Sequence, residues 1–287
     1  MYRLVTTAFL LFGATGALAQ GLPPPDTVVV SSGPLRLRAL LWCPPGVDPV
    51  PAVLFNHGSG HVHGDSLGGP DHRHPELLGP VFARHGYAFL YLYRRGDGLS
   101  VDAGRPSATR MDSAFAAGGL PARNALQLRL LETEELQDAM AGLAYLRALP
   151  RVDPSRVAVV GHSFGASLTL LLADRDSTVR AIVAFAPAAL SWDRSAELRA
   201  RLTTAVERMP THALFLHARN DYSIGAGTTL AAAMRRLGRP GRVTIYPPVG
   251  RTPDDGHDFI HLQVQRWEPE VFAFLDSLLV PVPPRPQ

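Results

Sequence analysis

Two hydrophobic periods alternate along this chain. Short, almost purely apolar runs at 52–56, 87–93, 156–160, 179–185, 213–217 and 243–246 read as strands buried on both faces. Between them lie segments of helical spacing at 76–85, 131–149, 166–173, 193–208 and 228–237, and a last helix runs to Leu279. In the 131–149 segment, Leu136, Ala139, Met140, Leu143 and Leu146 keep one stripe, Glu132, Glu134 and Glu135 enrich the first turn, and Pro150 stops it. One strand differs: Leu35, Leu37, Ala39 and Leu41 alternate with Arg36, Arg38 and Leu40, as on an outer, half-exposed strand. Strands alternating with helices predict an α/β fold with a mostly parallel sheet.

The pattern fails in three places. Residues 1–19 carry one positive charge, a short apolar stretch and the small-residue triplet Ala17-Leu18-Ala19, which predicts a signal peptide cleaved after Ala19. A secreted or periplasmic protein with no lasting membrane anchor is then expected, since the apolar stretch is too short to span a bilayer comfortably. Residues 101–122 lose all periodicity, with Pro106, Gly118-Gly119 and Pro121; they read as a flap with Met111 and Phe115 as substrate contacts, or as a surface loop. Residues 280–287 are a Pro-rich tail. The remaining 20–279 read as one domain.

Composition narrows the chemistry. Hydrophobic residues make up 46% of the 287 and charged residues 18%, enough for a large core. No lysine occurs; all 28 basic residues are arginine. A Walker A loop, a pyridoxal phosphate Schiff base and a Ser–Lys dyad are thereby excluded. The net charge of +3 is dispersed, with no basic run interleaved with aromatics, so nucleic acid is not an expected partner. Cys43 is the sole cysteine, so no intramolecular disulfide can form.

The stretch Gly161-His162-Ser163-Phe164-Gly165 matches G-x-S-x-G. A β-branched run precedes it and an apolar helical run follows. Strand, sharp turn and helix is the setting that lifts a serine above a sheet edge, with the helix N-terminus turned towards developing negative charge. The glycines suit a crowded turn that a Cβ would obstruct.

The segment from Val152 through Ser163 resembles the α/β-hydrolase superfamily, most of all its dienelactone-hydrolase-like and prolyl-oligopeptidase-like branches. The resemblance runs from about Val28 to Leu279. It implies an eight-stranded sheet and a Ser–Asp–His triad. Asp221, in the Arg219-Asn220-Asp221 loop after a strand, resembles the family's acid position, with Asp193 the competing one. His257, in Gly256-His257-Asp258-Phe259, resembles the triad histidine, with His261 as its rival. His57-Gly58-Ser59-Gly60 resembles the loop after the third strand that lends an amide to the oxyanion hole. The donors implied are the N–H groups of Phe164 and Ser59. His57, Gly58, Gly60 and His162 are then expected to contact substrate. Arg94-Arg95-Gly96-Asp97-Gly98-Leu99-Ser100 resembles the turn after the fourth strand in these hydrolases and reads as an ordinary turn.

The implied activity is ester hydrolysis through an acyl-enzyme on a small-molecule substrate, with no cofactor. A serine at position 163 departs from the cysteine of dienelactone hydrolases proper and favours a carboxylesterase. A small serine peptidase or lipase is the alternative. A second alternative is a zinc hydrolase built on His61, His63, His72 and His74. Its motif is broken, since Ser66 stands where the metallo-β-lactamase pattern needs histidine, so a solvated loop is the preferred reading and no metal is expected.

Overall fold

The computed structural model describes residues 22–46, 49–59 and 73–280. Residues 1–19, expected to be a signal peptide, and Gly60, His61, His63, His72 and the tail from 281 lie outside the described residues, as does the side chain of His74.

In chain order the elements are β1 (Asp26–Ser32), β2 (Leu35–Trp42), β3 (Val50–Asn56), α1 (Arg73–Arg84), β4 (Ala88–Leu92), α2 (Ser107–Glu132), α3 (Glu134–Ala148) and β5 (Val152–His162). Then come α4 (Phe164–Arg175), β6 (Ala181–Phe185), α5 (Ala189–Trp192), α6 (Ala196–Arg208), β7 (His212–Ala218) and α7 (Gly225–Arg236). The chain closes with β8 (Gly241–Tyr246), α8 (Pro253–His257), α9 (Phe259–Leu262) and α10 (Val264–Leu279).

The strands form one eight-stranded sheet in the order β1-β2-β4-β3-β5-β6-β7-β8. β1 and β2 are antiparallel to each other, and β2 is antiparallel to β4. Every other pair is parallel. Helices cover both faces. One core gathers Leu54 and Val159 from the sheet with Leu143, Leu170, Leu202 and Leu230 from α3, α4, α6 and α7. The other gathers Phe55, Phe89 and Val160 with Phe82 of α1 and Trp267 and Phe272 of α10. The central strands are coated on both sides, which is why β4 and β6 are buried at every residue. The alternation on β2 matches its place near the sheet edge.

Two differences from the sequence reading are instructive. Residues 101–122 are largely helical: a 3-10 turn spans 98–103, and α2 begins at Ser107. Its backbone breaks at Gly118 (φ −151°, ψ 20°) and Gly119 (φ 65°, ψ −160°), just ahead of Pro121. Glycine adopts those angles freely and proline removes a helix donor, so two helical pieces meet there and no single stripe can be read across them. Met111 is buried and Phe115 is exposed. The helix read from 131 instead starts at Glu134, because Thr133 leaves helical geometry (φ −121°, ψ −96°).

Candidate active site

Ser163 sits where the parallel strands end, at the joint between β5 and α4. Its backbone is left-handed (φ 56°, ψ −117°), a strained conformation for a residue with a Cβ. The surroundings enforce it. A Cβ on Gly161 would lie 2.4 Å from the Gly165 carbonyl oxygen, and one on Gly165 would lie 2.1 Å from the Asn56 carbonyl oxygen. Only glycine permits this closeness between α4 and β3. The Ser163 N–H donates to the Phe185 carbonyl at 2.9 Å, tying the turn to the end of β6. Asn56 braces the same corner, its Nδ2 donating to Thr169 Oγ1 at 3.0 Å.

The Ser163 hydroxyl lies 2.8 Å from His257 Nε2. His257 Nδ1 lies 2.8 Å from Asp221 Oδ1. Serine, histidine and aspartate thus form one hydrogen-bonded chain, contributed by the ends of β5, β7 and α8. The Tyr222 N–H also donates to Asp221 Oδ1, at 2.8 Å. The other carboxylate oxygen, Oδ2, lies 2.8 Å from Nδ1 of His217, a fully buried residue of β7. Burial opposes the charge on Asp221, but the hydrogen bonds from His217 and His257 outweigh it and hold the carboxyl below its ordinary range.

The rival positions are elsewhere. Asp193 is exposed at the end of α5. His261 of α9 pairs with Asp258, the residue just ahead of that helix, and sets its ring edge-on to His162, 5.5 Å between centroids.

Phe164 is the first residue of α4, so its N–H belongs to the helix start, where amides lack intrahelical acceptors. Gly58 faces Ser163: a Cβ placed on it would be 3.6 Å from Ser163 Cβ. The loop leading to Ser59 therefore runs alongside the serine.

His57 and His162 are both buried and turn their ring nitrogens to the protein. His57 Nδ1 donates to the Gly58 carbonyl at 2.7 Å, and its Nε2 accepts the Arg94 N–H at 3.4 Å. His162 Nε2 donates to the His257 carbonyl at 2.9 Å and fixes the backbone of that histidine. Burial, with His257 and His261 nearby, pushes the His162 imidazole down to about 3, so it stays neutral in any working range.

Three supports were invisible in the sequence. Arg94 is fully buried, salt-bridged to Glu135 of α3 at 2.6 Å, and donates from Nη2 to the Gly58 carbonyl at 3.2 Å. The supposed ordinary turn is thus a strut under the loop beside Ser163. Its partner Arg95 is bidentate to Asp138 (2.6 and 2.8 Å). Ala186 and Ala188, on either side of Pro187, both hold positive φ (52° and 51°) at the end of β6. No residue type there signals it, since alanine seldom adopts that region. Asn220 joins the loop of Asp221 to the loop ahead of α8.

The sequence model of the dienelactone hydrolase family matches residues 37–261, which contain every residue of this site. The chain belongs to the dienelactone hydrolase family. A quorum-quenching protein, AidA of Acinetobacter baumannii (strain MDR-ZJ06), is 27% identical over 163 residues, covering 57% of this chain and 44% of that protein. The chain therefore matches less than half the length of that relative. Among solved structures, the acylaminoacyl peptidase of Pyrococcus horikoshii superposes with a TM-score of 0.65 at 18% identity, over 92% of this chain and 44% of the peptidase. An esterase of Pyrococcus furiosus gives a TM-score of 0.62 at 14% identity, over 89% of this chain and 93% of the esterase. At such identities these structures establish the α/β-hydrolase fold. This dienelactone hydrolase family member has that fold.

Proposed function

We propose that this protein is a serine hydrolase that cleaves carboxylic esters through an acyl-enzyme. The reading rests on one observation: the unbroken line from Ser163 Oγ through His257 to Asp221, with 2.8 Å at both links. A serine hydroxyl is a poor nucleophile until an adjacent base takes its proton. His257 Nε2 is placed to do so as Ser163 attacks the ester carbonyl. Asp221 holds the proton on Nδ1 and stabilises the imidazolium that forms. The tetrahedral oxyanion would be met by the N–H groups of Phe164 and Ser59, and a lost donor of this kind typically costs ~10²–10³ in rate. His257 then returns the proton to the leaving alkoxide, and water, activated by the same histidine, clears the acyl group. No cofactor enters this scheme.

Serine in place of cysteine favours ordinary carboxylic esters over dienelactones. The dienelactone hydrolase family makes lactones, which are cyclic esters, a natural part of the substrate panel. The reading extends to location: the pattern at 1–19 supports export to the periplasm or beyond, with mature protein beginning at Gln20. The intact mass of protein recovered from an expressing bacterial host tests that.

The test of function is a chain-length series of nitrophenyl esters with lactone and anilide arms, run beside fluorophosphonate labelling. One adduct per chain is expected, abolished by Ser163→Ala. Turnover is expected on esters above the anilide, unaffected by EDTA. His257→Ala and Asp221→Asn should each be crippling, whereas His261→Ala and Asp193→Asn should be mild. Labelling that persists in Ser163→Ala would place the nucleophile elsewhere. Preference for the anilide would make the protein a peptidase, and loss of activity on chelation would make it a metal enzyme.

A further inference from the structure

We propose that His217 is a positioning residue of this site: a neutral imidazole, locked in one tautomer, that holds the second oxygen of Asp221 and so sets the carboxylate against His257. The inference rests on the Ser163–His257–Asp221 reading above and deepens it.

His217 lies within β7, four positions before Asp221, with no exposed surface. Its two nitrogens have fixed and different partners. Nε2 accepts the backbone N–H of Gly227, near the start of α7, at 3.3 Å. An accepting Nε2 carries no proton, so the proton must be on Nδ1. That nitrogen faces Asp221 Oδ2 at 2.8 Å and donates to it. A protonated ring would set an Nε2–H against the Gly227 N–H, two donors face to face in a dry site. His217 therefore supplies a neutral donor. The imidazolium formed on His257 is left as the sole cation that this histidine pair offers Asp221.

Gly227 is part of the device. A Cβ there would sit 2.7 Å from His217 Nε2 and 2.8 Å from its Cδ2. Glycine lets α7 close onto the ring so that a main-chain N–H can fix the tautomer. With Tyr222 N–H and His257 on Oδ1, both carboxylate oxygens are held and rotation of the group is blocked. Among the described residues, titratable groups around the pair include His162 from β5, its ring 4.9 Å from that of His257, His261 from α9 against His162 with Asp258 beside it, and Tyr222, 5.1 Å from the His257 ring, with Asp254 on its hydroxyl.

The experiment compares wild type, His217→Leu, His217→Gln and Gly227→Ala by kcat and KM against pH on the best nitrophenyl ester. Removing the donor to Oδ2 leaves the carboxylate less stabilised, so the Asp221–His257 pair holds its protons more tightly. The acid limb of the kcat/KM profile should move to higher pH in His217→Leu. Its kcat should fall up to about 100-fold, the scale of a misplaced catalytic group, with KM little changed. His217→Gln restores a side-chain N–H and should recover part of the rate and of the limb. Gly227→Ala, which pushes the ring without removing it, should move the limb in the same direction, and it serves if His217→Leu fails to fold. If wild type shows Ser163-dependent turnover and Gly227→Ala or folded His217→Leu keeps the wild-type limb, or loses rate through KM alone, the inference is overturned. If wild type shows no Ser163-dependent turnover or labelling, the reading of the site itself has failed.

Discussion

Asn220 and Val249 grip each other at both ends: Asn220 Nδ2 donates to the Val249 carbonyl at 2.7 Å, and its Oδ1 accepts the Val249 N–H at 2.9 Å. The same Nδ2 reaches the Thr252 carbonyl at 2.7 Å. Thr252 caps α8, the short helix that ends in His257, through a capping box with Asp255. Gly256 packs directly on the Asn220 backbone, where a Cβ would come within 2.6 Å. One side chain, adjacent in sequence to Asp221, thus sets where its histidine partner stands.

Asn220→Ala should therefore injure catalysis from outside the reacting groups. It leaves the Val249 amide and two carbonyls without their partner, at a cost of ~1–3 kcal/mol for each group that stays dry. A lower Tm and a reduced kcat are expected, with fluorophosphonate labelling of Ser163 slowed. Asn220→Asp keeps the acceptor and loses the donor, so it should fall between. An Asn220→Ala enzyme with wild-type kcat would show that the α8 loop is placed by other contacts.

The turn at Ser163 yields a separate test. A left-handed residue with a side chain stores strain of ~1–3 kcal/mol, which glycine largely avoids. Ser163→Gly should raise the Tm while abolishing labelling and turnover. Ser163→Ala, still bearing a Cβ, should abolish both without that gain. Equal melting temperatures for the two variants would mean the turn is not strained.

How much of this was readable beforehand follows from what kind of constraint each feature obeys. The strands were legible because burial on both faces forces continuous apolar runs, as at Phe89 and Val183. Ser163 was legible because its turn demands Gly161 and Gly165 at fixed offsets. The places of Asp221 and His257 in line with Ser163 were legible only through resemblance, since nothing local in the sequence marks residues that will meet there. His217, Asn220 and Arg94 were not legible. Each works through partners far along the chain: Gly227, Val249, and Glu135 with Gly58. A histidine in an apolar strand or an arginine in a turn has no sequence sign of the contact it will make.

Arg94 and Glu135 form a fully buried pair, and the two halves should behave unequally. Arg94→Met leaves a carboxylate in the core without its counter-charge, a loss of ~3–5 kcal/mol by the usual scale of broken buried pairs. Adding Glu135→Leu should restore much of the stability, since two apolar groups can replace a buried ion pair at little cost. The Gly58 carbonyl still lacks its Arg94 donor in the double variant, so kcat should remain depressed. Denaturant melts and ester kinetics on the single and double variants separate the two effects. Full recovery of kcat in the double variant would show that the strut does not act on the loop beside Ser163.

Asp97 makes stability depend on pH in a direction opposite to most carboxylates. Burial, with the nearby carboxylates of Glu135 and Asp138 adding to it against Arg94, pushes its pKa up to about 7. Its Oδ2 is buried with no hydrogen-bond partner among the described residues. In the unfolded chain an aspartate titrates at ~3.9. Between about pH 4 and pH 7 the unfolded chain therefore releases this proton while the folded chain keeps it. The fold loses stability as pH rises through that window, and above it the loss is complete. Each pKa unit corresponds to ~1.4 kcal/mol, so the full effect is a few kcal/mol. Asp97→Asn cannot ionise and escapes it. The variant should melt near the wild type at pH 4.5 and above it by several degrees at pH 8, at ~2–4 °C per kcal/mol for a chain of this size. The comparison is best made in the Ser163→Ala background, so that self-labelling and turnover play no part. A Tm difference that stays constant from pH 4.5 to pH 8 would mean that Asp97 is ionised throughout, held so by Arg94. The charge below the loop beside Ser163 would then be balanced differently from the way the burial of Asp97 implies.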